Sequence, residues 1–487
     1  MTVANEGGIL YNPRPEANHP ACLYAPDAAH KMPDPLSSEA KPAVHEAAAP
    51  LPSLRYAWYV VGVLSLLYVF SFVDRQIFSL IVGPLRRDLQ IGDTQVSLLM
   101  GFSFALFYTF FGIPIGHLSD VYSRRWIIAI GLVLWSGFTV SCGLAHTYAV
   151  MLVLRMGVGV GEAALSPAAY SLITDYFEGK RLATALSVYS MGIYVGSGLS
   201  YLLGGLVVRF ASAKEMWTLP LAGMIHPWQL IFFVVGLPGI ALAPLLCTVR
   251  EPGVRRLKTS RPEPRLRNVL SYLWENRRTV LLHNTGFGLL ALSSYAAGGW
   301  VPEFYRRRFH WEIGTVGIVY GSIVAVMGCI GLIVAGRIAD RMRARGRANS
   351  TLFLGVLIAV AAVPVNCLLY LAPSAAWATF WLVPAAALAA APFGIAPAAI
   401  QQMMPAAMRG KAAAVYLFIV NLVGLGIGPT AVGAATQYLF RSEDAVQYSL
   451  VLVTSLACAL AATLLYGALN PFLASLDRLR VWSAQRA

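Results

Sequence analysis

The chain contains twelve long runs of mostly apolar residues, and no other feature of the sequence restricts its fold as strongly. The runs cover residues 57–85, 94–117, 126–145, 148–175, 181–208, 228–248, 279–302, 313–337, 350–371, 376–402, 411–439 and 446–470. A helix of about 20 apolar residues crosses the hydrocarbon core of a bilayer. The runs are too long for barrel strands and do not alternate polar with apolar residues. The sequence therefore predicts an all-α polytopic membrane protein with twelve transmembrane helices.

Charged residues are scarce for a chain of this length. Of 487 residues, 12% are charged and 57% are apolar, whereas about 25% of the residues of a soluble protein are charged. A water-soluble fold would need more polar surface than this composition supplies. Lipid is therefore the expected solvent for most of the chain.

The formal net charge of +14 raises the question of nucleic acid, and the distribution of the charges answers it. With the N-terminus in the cytoplasm, 27 of the 37 Lys and Arg residues fall on the cytoplasmic side and two lie inside helices. The opposite loops hold the other eight: Arg86, Arg87, Arg209, Lys214, Arg306, Arg307, Arg308 and Arg441. This bias is typical of membrane topology and of contact with anionic lipids. We expect no nucleic-acid partner, both termini in the cytoplasm, and a cell membrane, with a pattern typical of a bacterial inner membrane. The run Arg306–Arg308 does not fit the bias.

Two stretches of sequence repeat each other. Residues 116–125 read Gly-His-Leu-Ser-Asp-Val-Tyr-Ser-Arg-Arg, and residues 336–345 read Gly-Arg-Ile-Ala-Asp-Arg-Met-Arg-Ala-Arg. Gly, Asp and the last Arg recur at an offset of 220 residues, and Pro167 recurs as Pro397 at an offset of 230. Internal repeats are typical of secondary transporters, whose substrate site lies in a central cavity between the two halves.

The repeat divides the chain into segments. We expect a six-helix half over residues 55–248, a basic cytoplasmic linker over 249–278 and a second half over 279–470. Residues 471–487 are expected to form a cytoplasmic tail. Residues 1–54 are rich in Pro, Ala and His and lack the n-region and h-region of a secretion signal, so they are expected to form a disordered cytoplasmic tail.

The repeated stretch, with Arg155-Met-Gly-Val-Gly-Val-Gly161 on helix 4, resembles the major facilitator superfamily over roughly residues 55–470. Two further stretches, Phe72–Gln76 on helix 1 and Gly159–Ala168 on helix 4, resemble the spinster branch. That resemblance implies alternating access and proton-linked transport of lysophospholipids or sphingolipid-type molecules.

The repeated stretch is also the candidate gating loop, with Gly116, Asp120, Arg124, Arg125 and Asp340. Asp120 is expected to cap a neighbouring helix or to pair with Arg124 and Arg125, and Gly116 to permit close helix contact. Such contacts would hold one face of the protein shut in one conformation and break in the other. The alternative is a static tie between loop and helix.

Four charged residues fall at membrane depth: Asp74, Arg75, Arg155 and Glu162. Each costs about 2.5–3.5 kcal/mol on insertion scales, so each is a candidate functional residue. Arg155 and Glu162 lie seven residues apart and share one face of helix 4. Asp74 and Glu162 are expected to take the proton, and Arg155 to organise the site. Arg75 is expected either to bind the anionic head of the substrate or to release its carboxylate partner when the substrate arrives. The alternative is a permanent salt-bridge network that locks helices 1 and 4 together.

The second half lacks these charges. At an offset of 220, Ser294 and Tyr295 stand where the first half has Asp74 and Arg75. We therefore expect coupling and anion recognition in the first half and an apolar wall in the second. This division suits an amphipathic substrate with an anionic head.

Three functions follow from these features. The first is a proton-coupled carrier of amphipathic anions, and the second is a carrier of soluble organic anions or drugs. The third is a membrane sensor without transport. An enzyme is not expected, because the chain has no phosphate-binding glycine loop, no metal cluster and no nucleophile elbow. We expect no cofactor, no metal and a monomer. The sequence leaves open the choice between proton and sodium and the direction of transport.

Overall fold

The structure is a computed structural model that describes residues 53–177, 180–219, 223–251, 266–405 and 408–484. Almost all of the predicted tail over residues 1–54 lies outside the described residues. The central part of the predicted linker, residues 252–265, lies outside them too.

Twelve long helices, labelled α1 to α12, dominate the described residues. The first half holds α1 Leu54–Leu80, α2 Asp93–Ser119, α3 Arg124–Cys142, α4 Tyr148–Tyr176, α5 Lys180–Ala211 and α6 Pro227–Thr248. The second half holds α7 Arg277–Phe309, α8 Ile313–Ala344, α9 Ser350–Tyr370, α10 Ala375–Gln402, α11 Arg409–Phe440 and α12 Val446–Ala484. Within the described residues, each of these helices except α7 is long and apolar enough to cross a membrane. The predicted all-α polytopic fold is confirmed.

Two short helices and two short strands join these helices. A short helix, Val82–Leu89, follows α1, and an amphipathic helix, Leu266–Glu275, precedes α7. Two antiparallel strands, β1 Trp217–Leu219 and β2 Gly223–Ile225, connect α5 to α6.

Several helices extend beyond the apolar runs that predicted them. α7 continues through Arg306–Arg308 to Phe309, and α8 continues through the repeated stretch to Ala344. α12 continues through Pro471 to Ala484, into the segment assigned to the C-terminal tail. Hydropathy marks where the hydrocarbon ends, whereas a helix ends at its cap, so the two boundaries need not coincide.

Each half repeats the same pattern of helix packing. In the first half α1 packs against α5, α2 against α4, and α3 against α6. In the second half α7 packs against α11, α8 against α10, and α9 against α12. The structural repeat follows the sequence repeat, with each helix of the first half matched by the helix six places later.

The two halves contact each other through α5 with α8 and α2 with α11. We call the end of the bundle where α7 ends and α2 begins the Arg307 end, and the opposite end, where α2 ends and α3 begins, the Arg124 end. The contacts between halves lie towards the Arg307 end. A Cβ at Gly198 of α5 would lie 2.3 Å from the Cβ of Ala325 of α8, so only glycine allows this approach. A Cβ at Gly433 of α11 would likewise lie 2.1 Å from Oγ of Ser97 of α2.

Candidate functional site

Arg75 and Glu162 form an ion pair in the first half. The Nε atom of Arg75 on α1 donates a hydrogen bond to Oε1 of Glu162 on α4 over 2.5 Å. The Glu162 side chain is fully buried, whereas 12% of the Arg75 side chain is exposed. The Oε2 atom of Glu162 is buried without a hydrogen-bond partner. Arg75 is thus the member of the pair that an incoming anion can reach.

The local structure of α4 brings Glu162 to this position. Glu162 is the last residue of the first segment of α4, and the helix resumes at Leu165. A Cβ at Gly161 would lie 2.6 Å from the backbone nitrogen of Trp135 on α3. The glycine therefore lets α4 approach α3 closely, and the break in α4 comes directly after Glu162.

Aromatic rings surround the Arg75 guanidinium. Its Cζ atom lies 5.0 Å from the ring centre of Phe72 and 4.7 Å from those of Phe104 and Tyr108. Ring faces attract a cation more strongly when water is excluded. The three rings therefore stabilise the charge of Arg75 and form an apolar wall beside it.

Asp74 faces away from Arg75, towards α3. The Thr139 hydroxyl donates a hydrogen bond to Oδ2 of Asp74 over 2.5 Å. Asp74 is 1% exposed, and its Oδ1 atom has no hydrogen-bond partner. Among the described residues no cation lies within ion-pair distance of this carboxylate.

Arg155 is buried between α4 and α2 without a carboxylate partner among the described residues. Its Nε atom donates to the carbonyl of Leu99 over 3.3 Å, and its Cζ atom lies 4.7 Å from the ring centre of Phe78. Leu99 lies in a π-helical turn of α2, Leu98–Phe102, and π turns are frequent at functional sites. The Nη2 atom of Arg155 has no hydrogen-bond partner.

The four predicted charges therefore meet only in part. Arg75 and Glu162 pair directly, but Asp74 and Arg155 are each held by neutral groups. Hydroxyl, carbonyl and ring contacts take the place of ion pairs for Asp74 and Arg155.

Aromatic side chains also mark the facing surface of the second half. Tyr295 of α7 and Phe393 of α10 stand perpendicular with ring centres 5.9 Å apart. Tyr295 packs against the apolar cores of both halves. It is the counterpart of Arg75 in the sequence repeat, so an aromatic ring replaces the cation at the equivalent place.

The candidate gating stretch makes its contacts at the Arg124 end. Arg124 pairs with Asp175 at 2.5 Å and with Glu251 at 2.8 Å, and Arg125 donates to the carbonyl of Val249. Asp175 belongs to the first half, and Val249 and Glu251 directly follow α6 at the start of the linker, so none of these partners lies in the second half. Burial raises the pKa of Glu251, but hydrogen bonds from Ser123 and Arg124 outweigh it and lower that pKa below its ordinary value.

The other gating candidates make fewer contacts. A Cβ at Gly116 would lie 3.8 Å from Pro167, an ordinary contact, so close packing does not require the glycine. Asp340 is exposed and has no ion pair among the described residues. The side chain of Asp120 lies outside the described part of the structure.

The ion pairs that join the two halves lie at the opposite end and were not predicted. Arg307 donates from Nη1 and Nη2 to the two carboxylate oxygens of Asp93, each over 2.8 Å, and from Nε to Glu303 over 2.7 Å. Asp93 begins α2, whereas Arg307 and Glu303 lie on α7, and all three are almost fully buried. We call these residues, with Arg86, Arg306 and Glu443, the Arg307 cluster.

The outer members of the Arg307 cluster extend these contacts. Arg86, which follows α1, pairs with Asp93 at 3.1 Å and with Glu443, before α12, at 2.6 Å. Arg306 pairs with Glu303 at 2.5 Å. Two of the three arginines that did not fit the charge bias, Arg306 and Arg307, therefore belong to a network of ion pairs. Within the described ranges, no group of three His, Cys, Asp or Glu side chains could hold a metal ion.

The family model of the Major Facilitator Superfamily matches residues 64–429. An MFS-type efflux pump of Mycolicibacterium smegmatis is 28% identical over 434 residues, covering 86% of this chain and 93% of the relative. Protein spinster of Drosophila melanogaster is 25% identical over 285 residues, covering 57% of this chain and 44% of the relative. The sphingosine-1-phosphate transporter SPNS2 of Danio rerio is 25% identical over 300 residues, covering 58% and 56%. The chain thus spans about half the length of these spinster relatives.

A crystal structure of a bacterial homologue of the human lysosomal transporter Spinster, in an inward-facing and occupied conformation, has a similar fold. The TM-score is 0.69 at 25% identity, over 87% of this chain and 97% of that chain. The unoccupied form gives a TM-score of 0.70 at 24% identity, over 88% and 98%. The chain belongs to the major facilitator superfamily of transporters, not to an enzyme family, and within it resembles the spinster branch.

Proposed function

We propose that the chain is a proton-coupled secondary transporter of amphipathic anions, of the lysophospholipid or sphingolipid type. The observation that carries the proposal is the ion pair of Arg75 with Glu162 inside an aromatic surround. Guanidinium binds phosphate and carboxylate groups through two parallel hydrogen bonds. The rings beside it suit the apolar part of the same substrate.

Competition for Arg75 supplies the coupling. An anion that binds Arg75 displaces Glu162, whose buried carboxylate is then left without its cation. An unpaired buried carboxylate favours its protonated form. Proton and anion therefore bind together, and each favours the binding of the other. Asp74 is the second candidate for the proton, because its carboxylate is buried and only one of its oxygens accepts a hydrogen bond.

Alternating access requires the contacts between the halves to break. With both termini in the cytoplasm, the Arg307 end faces the outside and the Arg124 end faces the cytoplasm. The Arg307 cluster then closes the outer end, and the conformation is inward-facing. Separation of Asp93 from Arg307 is the step that opens the outer end.

The test is transport of a labelled lysophospholipid by the full-length protein in proteoliposomes under an imposed pH gradient. Wild type is expected to accumulate the lipid, whereas Glu162→Gln and Arg75→Ala are expected to abolish accumulation. Glu312→Gln and Arg308→Ala are matched controls, because both residues are exposed at the connection between α7 and α8. If wild type moves no lipid, the substrate class is wrong. If transport survives both changes at the site, the buried charges are structural.

A carrier of soluble organic anions or drugs is the second candidate. It is favoured by the similarity to the mycobacterial efflux pump, which extends over 93% of that protein. Tyr295→Ala separates the two, because loss of this ring removes apolar surface of the second half. A lipid carrier should lose affinity for long acyl chains more than for short ones, whereas a carrier of soluble anions should not discriminate by chain length.

A further inference from the structure

A cavity of about 250 Å³ lies at the Arg307 end, apart from the buried charges of the first half. It is lined by Gly83, Arg86, Arg87, Ile91, Arg306 and Glu443. The first four belong to the first half and the last two to the second. The volume is below the range of about 300–1,000 Å³ of pockets for drug-sized ligands, so the cavity suits a small ion or a head group.

The cavity offers donors that the protein does not use. Arg87 is exposed, and its side chain makes neither an ion pair nor a hydrogen bond with the described residues. Arg86 and Arg306 use their Nε and Nη2 atoms on carboxylate and carbonyl oxygens. In the described contacts the Nη1 atom of each donates no hydrogen bond to protein. Guanidinium donors from both halves therefore remain available.

The charges around the cavity do not cancel. The Arg307 cluster contains three arginines, namely Arg86, Arg306 and Arg307, and three carboxylates, namely Asp93, Glu303 and Glu443. Arg87 adds one positive charge without a partner. The carboxylate of the neighbouring Asp88 contacts other residues instead: its Oδ2 atom accepts a hydrogen bond from Trp228 of α6 over 2.6 Å and lies 3.2 Å from Nδ1 of His226. One anion at the cavity would neutralise this excess.

We propose that this cavity binds a phosphate-like oxyanion, which bridges Arg86 and Arg87 of the first half to Arg306 of the second. Guanidinium groups match the geometry of such oxygens and hold them by charge-assisted hydrogen bonds. Glu443, whose side chain is 62% exposed, competes with the anion for Arg86. Binding itself does not depend on what the protein transports. The consequence that the anion holds the Arg307 end closed rests on the proposed alternating access.

Binding is tested by thermal unfolding of the full-length protein in an uncharged detergent, in inorganic phosphate against sodium chloride of equal ionic strength. A ligand that binds only the folded state raises its stability in proportion to ln(1 + [L]/Kd). Phosphate is expected to raise the melting temperature of wild type. Arg87→Gln and Arg306→Gln are each expected to weaken binding about tenfold or more, since each removes a charged donor. Arg308 lies on the same helix as Arg306 but outside the cavity, so Arg308→Gln should bind phosphate as wild type does. Glu443→Gln should bind phosphate more tightly.

A second measurement separates a free anion from a lipid head group. The same variants are compared in nanodiscs of phosphatidylcholine alone and of phosphatidylcholine with phosphatidic acid. Stabilisation by phosphate in detergent identifies a soluble anion, and stabilisation by phosphatidic acid alone identifies a lipid head group. Either result supports the site if the stabilisation is lost in the Arg87→Gln variant. If neither ligand stabilises wild type, or if Arg87→Gln responds as wild type does, the proposal is wrong.

Closure is tested with a cysteine reporter at Ser97, which is fully buried against Gly433. Ser97→Cys is made in a variant whose six native cysteines are replaced by serine. The stabilising ligand is expected to slow alkylation of this thiol by a maleimide, and Arg87→Gln is expected to cancel the effect. If the ligand binds but alkylation is unchanged, closure is overturned. If binding is present and the lipid is not transported, only the proposed function fails.

Discussion

At the scale of single residues, the membrane charges show three ways of stabilising an ion in a medium of low dielectric. Glu162 uses an arginine, Asp74 uses one hydroxyl, and Arg155 uses a carbonyl and a ring face. Removing the partner of a buried charge costs more than the net value of the interaction, because the charge stays buried. The least compensated of these groups, Asp74, is therefore the most sensitive to its neighbour.

Thr139→Val tests this sensitivity. The change keeps the shape of the side chain but removes the one hydrogen bond that the Asp74 carboxylate accepts. We expect the free energy of unfolding to fall by about 1–3 kcal/mol. Thermal unfolding in detergent measures the loss. Thr463→Val is the control, because Thr463 is exposed and donates only to the Ala459 carbonyl of its own helix.

The Asp74→Asn change should remove most of the destabilisation that Thr139→Val causes. With a neutral amide at position 74, little remains for Thr139→Val to destabilise, so the two changes should not be additive. An equal loss in the presence and absence of Asp74→Asn would show that Thr139 acts through packing alone.

The sequence predicted the candidate charges but not their partners. Charges within apolar runs stand out, because each is costly in lipid. Helix periodicity placed Arg155 and Glu162 on one face, yet which neighbour faces them depends on how the helices are arranged. The sequence did not indicate that Thr139 would contact Asp74, because hydroxyls in helices commonly bond the carbonyl four residues earlier.

At the scale of helices, the contacts at the two ends of the bundle differ in kind. At the Arg124 end, Arg124 of α3 pairs with Asp175 of α4 and with Glu251 directly after α6. At the Arg307 end, Arg307 ties α7 of the second half to the first residue of α2. Only the second kind must break when the halves separate.

Asp93→Asn tests this difference. Removing one partner of a buried ion pair costs about 3–5 kcal/mol, and separation of the halves lets water relieve part of that cost. We expect alkylation of the Ser97→Cys reporter to become about tenfold faster or more. Arg124→Gln is the matched control, because it breaks the ion pairs with Asp175 and Glu251, neither of which joins the two halves. Equal acceleration by both changes would mean general loosening and not opening of one end.

Glu251 gives the Arg124 end a defined pH dependence. Hydrogen bonds from Ser123 and Arg124 lower the pKa of Glu251 below its ordinary value of about 4.3. A lowered pKa in the folded state means that the stabilisation is fully present above the ordinary pKa. It is lost as the pH falls through the lowered value.

Glu251→Gln should therefore lower the melting temperature at pH 7, and the difference from wild type should shrink below about pH 4.3. Thermal unfolding over a range of pH measures it. Glu312→Gln, at an exposed carboxylate without an ion pair among the described residues, should show no such trend. A constant difference at every pH would mean that the charge of Glu251 does not stabilise the fold.

Helix ends were predicted less well than helix cores. The apolar run of α7 stops at residue 302, but its helix continues for two further turns to Phe309. Counting Lys and Arg by side treats Arg306 and Arg307 as free charges. In the structure Glu303 neutralises Arg306, and Asp93 of α2 neutralises Arg307. A count of charges along the sequence cannot show a pair that joins two helices.

At the scale of the whole molecule, two similar halves meet through surfaces of small residues. The sequence repeat predicted the two halves because matched residues recur at constant offsets. The sequence could not predict which end of the bundle is closed, because the same sequence adopts every conformation when two halves rock about their contacts. At Gly198 and Ala325 the approach of α5 to α8 leaves no room for a side chain larger than that of glycine at position 198.

Gly198→Val tests whether the halves move about this contact. The added side chain cannot fit where a Cβ alone would lie 2.3 Å from that of Ala325, so the halves must separate at this end. We expect faster alkylation of the Ser97→Cys reporter and slower exchange of lysophospholipid in proteoliposomes. Gly137→Val is the matched control, because a Cβ at Gly137 of α3 meets no atom within 4 Å. If Gly198→Val slows exchange without exposing the reporter, the contact matters for folding or for the site. If it changes neither, the halves do not pivot about α5 and α8.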